Sequence, residues 1–119
     1  MPQEFSQGDF LVFQLESGYG LLRVIDVTES STGPVWHLAA YSDLFLDVDQ
    51  AEYAIANLGR LRVQYPHVAL TPRAFESTQV AKVANVPLSD DELVAYRAWI
   101  ATPDQPVSDR SIRLLLGLR

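Results

Sequence analysis

Residues 8–27, with the sequence GDFLVFQLESGYGLLRVIDV, decide the fold of this chain. Two apolar runs flank the segment ESGYG, in which Gly18 and Gly20 can adopt positive φ at little steric cost. Alternate side chains of a strand point to opposite faces, so Phe10 and Val12 share one face of the first run. The other face carries Leu11, Phe13 and Leu15. The stretch therefore predicts a β-hairpin whose first strand is covered on both faces.

The second apolar run contains two charged residues, Arg23 and Asp26. Strict alternation places Asp26 on the face of Leu22 and Val24. The same alternation places Val27 on the opposite face, together with Arg23. One acid and one base are therefore predicted to lie on opposite faces of the second strand.

Three further segments have the composition of strands. The polar connection TESSTGP precedes a predicted third strand at residues 35–41, with Trp36, Leu38 and Ala40 on its core face. A fourth strand is predicted at residues 61–64, and an extended segment interrupted by Pro66 and Pro72 follows it. Valines and the closing Asn-Val-Pro favour a fifth strand at residues 78–84.

The helices are predicted from periodicity and from capping residues. A helix at residues 48–58 is predicted by an apolar stripe, by capping-box spacings that begin at Asp47 and Asp49, and by Gly59 as its end. Ser89 and Glu92 have capping-box spacing and open a second helix, which Thr102-Pro103 ends. Ser108 is predicted to cap a third helix before Gly117.

This order of elements predicts one α+β domain that comprises residues 1–119. A short meander of twisted strands tends to curl, so we expect a small SH3-like β-barrel or a strongly curled antiparallel sheet of about five strands. One inserted helix and two C-terminal helices would cover it. A helix-covered open sheet is the alternative.

The charge is distributed unevenly along the chain, whose net charge is −6. Residues 1–58 contain one basic residue, Arg23, against nine acidic residues, so that half has a net charge of −8. An acidic half repels phosphate backbones, which argues against nucleic acid as a partner. The same charge would steer a basic protein towards it, although acids also serve simply to keep a surface soluble.

The absence of cysteine excludes disulfides, thiolate zinc sites and a thiol nucleophile. It fits a reducing compartment. The sequence MPQEFSQGDF does not resemble a signal peptide, and no apolar run approaches the ~20 residues that a bilayer requires. We therefore expect a cytoplasmic protein with no membrane contact.

The common catalytic and phosphate-binding motifs are missing from the sequence. A site with His37 as a base and Asp26 as its orienting group is conceivable, because neighbouring strands can bring the two together. The simpler interpretation packs His37 against Tyr41 and places His67 in a loop. We expect no enzyme activity, no cofactor and no metal.

The segment DLFLDVDQAE, residues 43–52, has four acids in ten residues. It lacks the central glycine of a calcium loop and intersperses apolar residues among the acids. One interpretation is that the acids cap the following helix and interact with its dipole. The other is a partner-binding patch, an apolar anchor with a charged rim. The candidate partner-binding residues are Asp43, Phe45, Leu46, Asp47, Asp49 and Glu52.

The opening hairpin resembles the start of the bacterial immunity-protein family 26 of polymorphic toxin systems. The resemblance lies in Gly8-Asp9, the apolar strand, the Gly18-Tyr19-Gly20 turn and the returning Arg23-Val24. Residues 83–93, VANVPLSDDEL, are similar in kind to a later part of that family. The resemblance covers about a third of the chain and implies an SH3-like fold and a toxin-binding role.

Three functions remain open on the sequence alone. The first is a small protein-binding domain, of immunity type if the resemblance holds, that uses its acidic N-terminal half. The second is a homo-oligomeric structural or regulatory module, since small sheets have edge strands that pair readily. The third is an enzyme with an unusual site at His37 and Asp26, which we rank last.

Overall fold

The computed structural model describes residues 5–117, except for the side chain of Leu58. Five strands and four α-helices occur within these residues, together with a 3-10 turn at Leu58–Arg60. The strands are β1 (Asp9–Leu15), β2 (Gly18–Ser30), β3 (Gly33–Tyr41), β4 (Val63–Leu70) and β5 (Val80–Asn85). The helices are α1 (Val48–Ile55), α2 (Pro72–Glu76), α3 (Asp90–Ala101) and α4 (Ile112–Leu116).

All five strands belong to one antiparallel sheet in the order β4-β3-β2-β1-β5. The α+β class and the five antiparallel strands agree with the sequence prediction. The sheet is open, because its outer strands β4 and β5 do not pair with each other in the described part of the chain. The architecture is therefore the helix-covered open sheet and not the closed barrel.

The predicted hairpin is present, but its turn is tighter than expected. The ladder continues to Leu15 opposite Gly18, so that only Glu16 and Ser17 form the turn. Gly18 has a φ of 157°, and a Cβ there would lie 2.3 Å from the carbonyl oxygen of Phe45. Gly20 is needed for packing, since a Cβ at Gly20 would lie 2.3 Å from the Phe13 ring. Both glycines thus permit close contacts, whereas the positive φ expected at both positions occurs only at Gly18.

A β-bulge in β2 overturns the predicted faces of Asp26 and Val27. Val24 pairs with Leu38 and Asp26 pairs with His37, so β2 has one extra residue, Ile25, between these pairs. Asp26 consequently lies beside the side chains of the face that holds Arg23. Val27 instead packs with the core of the other face. Period-two alternation cannot anticipate an inserted residue.

The sheet has a core on each face. On the first face, Trp36, Leu38 and Ala40 pack as predicted with β1 and β2 residues, beneath α2 and α4. On the second face, Phe10 and Val12 lie under α1, and Ile25 and Ala39 lie under α3. The sequence predicts that the two C-terminal helices, here α3 and α4, cover the sheet. They are in fact divided between the two faces, because both faces are apolar and each must be buried.

Other boundaries also differ from the prediction. Pro66 lies inside β4, which a proline can occupy because β4 is an edge strand. Pro72 begins the unpredicted helix α2, and Ser111 rather than Ser108 caps α4. Helix α1 ends at Ile55, before Gly59.

Two predicted caps are present in the structure. Asp47 is the N-cap of α1 and accepts a hydrogen bond from the backbone N–H of Gln50. Ser89 and Glu92 form the full capping box of α3. Between residues 5 and 117, no helix is long and apolar enough to cross a membrane.

Candidate functional site

A cleft of about 540 Å³ opens on the second face of the sheet. Its floor consists of β2 and β3 residues, namely Arg23, Ile25, Ala39 and Tyr41. One wall is the 3-10 turn and β4, which contribute Gly59, Leu61, Val63 and Pro66. The opposite wall is the connection from β5 into α3, with Pro87, Leu88, Ser89, Asp91 and Glu92. The cleft is thus a gap between the segments that cover this face.

Arg23 is the central charged residue of the floor and is fully buried. Its Nη1 donates to Glu92 Oε2 at 2.5 Å, and its Nη2 donates to the carbonyl oxygens of Val86 at 2.7 Å and Pro87 at 3.3 Å. The guanidinium carbon lies 4.1 Å from the centre of the Phe10 ring. These contacts compensate the loss of water around the charge and fix the start of α3 to the sheet.

The remaining Arg23 donor, Nε, is buried and has no hydrogen-bond partner among the described residues. Tyr41 lies close by, and its pKa is raised by burial, an effect that the Arg23 guanidinium partly offsets. A buried donor without an acceptor is unfavourable, so one N–H group in the floor of the cleft lacks a hydrogen bond within the described protein.

Except at Arg23 and the start of α3, the cleft is lined by apolar side chains. The charge of Arg23 is neutralised by Glu92, whose second oxygen accepts the N–H of Ser89 at 2.9 Å. Asp91 is exposed and has no ion-pair partner within residues 5–117. The cleft therefore presents an apolar interior and one uncompensated carboxylate.

A second polar cluster lies farther along the same face. His37 is fully buried, and its Nδ1 is 2.9 Å from His67 Nε2. Its Nε2 is 2.8 Å from the hydroxyl oxygen of Thr28. The rings of Tyr96 and Trp99 lie against both imidazoles. His67, which was predicted in a loop, is a half-buried residue of β4, and His37 packs against this cluster rather than against Tyr41.

The electrostatics of this cluster favour neutral imidazoles. Burial lowers the pKa of His37, and burial together with the adjacent His37 lowers the pKa of His67 to about 4. If both rings were protonated, two N–H groups would face each other across the 2.9 Å contact. The histidine pair is therefore uncharged at neutral pH.

Asp26 and His37 lie on the same face, but their side chains hydrogen-bond to other residues and not to each other. The Tyr96 hydroxyl donates to Asp26 Oδ2 at 2.7 Å, and the pKa of Tyr96 is raised by burial and by this carboxylate. Both ring nitrogens of His37 are occupied by Thr28 and His67. Neither nitrogen is therefore bonded to Asp26, the orienting group that the sequence suggested.

The cluster also does not have the ligands of a metal centre. Among the described residues there is no group of three or more histidine or acidic side chains that could hold a metal ion. The two histidines and the tyrosine instead tie α3 to β2, β3 and β4. These side chains hold the helix and the strands together through buried polar groups that are hydrogen-bonded to one another.

The acidic segment, residues 43–53, lies between β3 and the end of α1. Asp43 accepts the backbone N–H of Arg62 at 2.6 Å, and Asp47 caps α1. Phe45 is half-buried and exchanges two backbone hydrogen bonds with Tyr19. The backbone N–H of Leu46 donates to Gln50 Oε1 at 3.3 Å, so four of the six predicted partner-binding residues have structural contacts. The other two, Asp49 and Glu52, are exposed on α1.

Large apolar side chains are exposed in the same segment. Leu46 retains 75% of its accessible surface, Tyr53 retains 72% and Leu44 retains 52%. The sequence prediction included Leu46 but missed Leu44 and Tyr53. Tyr53 is two residues from the buried Ala51 and Ile55 in α1, a helical spacing that places it away from the buried stripe.

The cleft was not predicted from the sequence, because its lining comes from five separate segments. One indication was present in the hairpin. Arg23 is the only basic residue of the first 58 positions, and it stands between apolar side chains on a strand with two covered faces. A charge in that position has to find a partner from elsewhere in the chain.

Comparisons with known proteins returned nothing: no family model, curated protein or solved structure matches this chain. The fold and the contacts described above are therefore the basis for a functional proposal. They define an α+β protein with an open sheet, one apolar cleft and one acidic segment that exposes apolar side chains.

Proposed function

We propose that this chain is a small cytoplasmic binding protein that docks a basic protein partner on its acidic segment. The observation that carries the proposal is the exposure of Leu46 and Tyr53, at 75% and 72%, beside the exposed carboxylates of Asp49 and Glu52. Apolar anchors surrounded by charged residues are the usual composition of a protein interface.

The charge distribution supports a basic partner. The net charge of residues 1–58 is −8, and its one basic residue, Arg23, is buried and paired with Glu92. The exposed charges of that half are therefore acidic. Such a field accelerates encounter with a positively charged protein and disfavours acidic competitors.

The resemblance of the opening hairpin to an immunity-protein family makes a toxin the first partner to test. That family implies an SH3-like barrel, whereas the sheet of this chain is open. We therefore take from the resemblance only the kind of partner. A toxin gene next to the gene for this chain would supply the candidate, and an unrelated metabolic operon would argue against it.

The charged part of the surface is tested with a double charge reversal, Asp49→Lys with Glu52→Lys. Neither carboxylate caps α1 or accepts a described backbone hydrogen bond, so the fold should be retained. A partner is captured from the source cell and purified, and its Kd is measured by calorimetry. We expect the reversal to weaken binding at least about tenfold, as loss of complementary charges does.

The matched control reverses two exposed acids elsewhere, Glu76→Lys with Asp104→Lys, and so changes the net charge by the same amount. Binding should change much less in the control. Equal weakening in both variants would show that only overall charge matters. Unchanged binding in the Asp49 and Glu52 variant would refute docking on this segment.

The apolar anchors are tested separately by Leu46→Ala and Tyr53→Ala. Both side chains are exposed, so the variants should melt close to the unmodified protein. Anchor residues at interfaces contribute roughly 1–4 kcal/mol each, and we expect the affinity for the partner to fall accordingly. Leu114→Ala, on the outer surface of α4, is the matched control with a similar exposure of 71%.

A homo-oligomeric module is the second candidate, because β4 and β5 are the outer strands of the sheet. Within residues 5–117, the outer side of β4 is bridged at Leu70 alone, by Ser108. Both edges carry residues that discourage pairing, namely Pro66 in β4 and Lys82 in β5. We therefore rank this candidate second. A concentration-dependent dimer in analytical ultracentrifugation that Lys82→Ala strengthens would favour it over the binding protein.

A further inference from the structure

The cleft over Arg23 has the dimensions of a small-molecule site. Its volume of about 540 Å³ lies within the range of about 300–1,000 Å³ that is typical of such sites. From its lining we infer that it binds a small, uncharged, largely apolar molecule. This inference goes beyond the proposed protein partner and rests on different residues.

Two small residues keep the cleft open. Ala39 lies on its floor in the middle of β3, and Gly59 lies in its wall. A Cβ added at Gly59 would meet no atom within 4 Å, and the φ of Gly59 is not in the left-handed region. Neither backbone conformation nor packing therefore requires glycine there. The small side chains of Gly59 and Ala39 leave the space between the walls free of protein atoms.

The apolar surface of the cleft favours an apolar ligand. Apolar walls without partner atoms lose dispersion contacts and leave apolar surface in water. Leu61 and Leu88 on opposite walls and Ile25 on the floor are partly or fully buried, so they already form a preorganised apolar surface. A molecule with an apolar body would complete the packing between the two walls.

The charges of the site favour an uncharged ligand over a carboxylate. Among the described residues, Arg23 is the only cation of the lining, and it is buried and paired with Glu92. Asp91 adds an exposed negative charge to the same lining. An anion would therefore lose its water and meet a like charge without gaining an ion pair. An uncharged ligand avoids both penalties.

The test compares two probes of the same shape, 2-acetylnaphthalene and 2-naphthoate, at pH 7. Binding is measured by calorimetry and located by methyl NMR shifts of Ile25 and Ala39. We expect the neutral probe to bind at one site per chain, with the shifts concentrated at those methyl groups. The carboxylate should bind at least about tenfold more weakly, the effect of one unfavourable charge interaction near the surface.

The location is tested with Gly59→Phe, which places an aromatic side chain in the wall of the cleft. The control is Leu114→Phe, which adds an aromatic side chain at an exposed position of α4, on the other face of the sheet. We expect Gly59→Phe to weaken binding of 2-acetylnaphthalene at least about tenfold and Leu114→Phe to leave it unchanged. If Gly59→Phe does not fold, Val63→Trp offers a second way to fill the cleft from an exposed position.

Several outcomes would overturn the inference. These are the absence of saturable binding by 2-acetylnaphthalene, equal or tighter binding of 2-naphthoate, and unchanged binding in a folded cleft-filling variant. The partner's affinity is measured on the same Gly59→Phe protein. If partner binding survives while probe binding is lost, the cleft and the acidic segment are separate sites. The two measurements therefore show which of the two proposals has failed.

Discussion

Arg23 links more elements than any other charged side chain described here. From β2 it reaches Glu92 at the start of α3, the carbonyl oxygens that follow β5, and the Phe10 ring in β1. Each of these contacts replaces water that the guanidinium loses on burial. The Arg23 guanidinium therefore holds together the elements that cover the second face of the sheet.

The first prediction concerns Arg23→Met, which keeps the length of the side chain and removes its charge. Glu92 and the Val86 carbonyl would lose their donor, and breaking a buried ion pair costs about 3–5 kcal/mol. Because Glu92 is 30% exposed and can be rehydrated, we expect a loss near the lower limit, about 3 kcal/mol. Urea denaturation measures it.

The companion variant Glu92→Gln has one side-chain oxygen, whereas Glu92 uses one for the Ser89 N–H and the other for Arg23. It leaves the fully buried guanidinium without a counter-charge, so its loss of stability should be at least as large as that of Arg23→Met. A free energy of unfolding that Arg23→Met leaves unchanged would contradict the structural role of the guanidinium.

The second prediction concerns His67 and pH. Its pKa is lowered to about 4 in the fold, below the ordinary value of 6.5, because it is buried next to His37. The unfolded chain therefore binds a proton at higher pH than the folded chain. The stability that neutral His67 contributes is complete above pH 6.5 and is lost as the pH falls from 6.5 to about 4.

The variant His67→Leu removes the imidazole that titrates in this pH range. Between pH 6.5 and pH 4, the free energy of unfolding of the unmodified protein should fall more steeply than that of the variant, by up to about 1.4 kcal/mol per pH unit. Urea denaturation at several pH values gives both slopes. Parallel slopes would mean that His67 titrates in the fold as it does in water.

At the scale of elements, α3 connects the cleft to the histidine cluster. Its capping box fixes Ser89 and Glu92 at the cleft, and its later turns carry Tyr96 and Trp99 to the histidines. The sequence SDDE predicted the start of this helix, because the cap depends on residues three positions apart. The face against which α3 packs was not predictable, since its partners are distant in the chain.

The third prediction tests this cap with Ser89→Ala. The Ser89 hydroxyl accepts the N–H of Glu92, and removing an N-cap acceptor costs about 1 kcal/mol. Ser89→Asp supplies another good acceptor and should retain most of the stability. Urea denaturation compares the two, and equal losses in both variants would argue that the cap contributes nothing.

The central strands of the sheet are the most protected from solvent. Strands β1, β2 and β3 each have two neighbours and are covered on both faces, whereas β4 is an edge whose first residues are exposed. The stability of local regions follows the number of buried contacts they share with the rest of the molecule.

The fourth prediction follows from this arrangement. In hydrogen exchange measured by NMR, the amides of Leu11, Leu22 and Leu38 should exchange slowest, close to the rate set by global unfolding. The amides of Val63 and Gln64 should exchange much faster, because these residues are exposed on the edge strand. Similar protection in β4 and β2 would indicate an additional cover on that edge.

The sequence by itself determined the opening hairpin, the α+β class, the core face of β3 and the starts of α1 and α3. Each of these depends on residues that are close in the chain, through period-two alternation, apolar stripes and capping spacings. Only the tertiary structure decided the bulge at Ile25, the open edges, the division of helices between two faces, and the cleft. Those features depend on which distant segments meet Arg23, His37 and Ala39, and local patterns do not encode that choice.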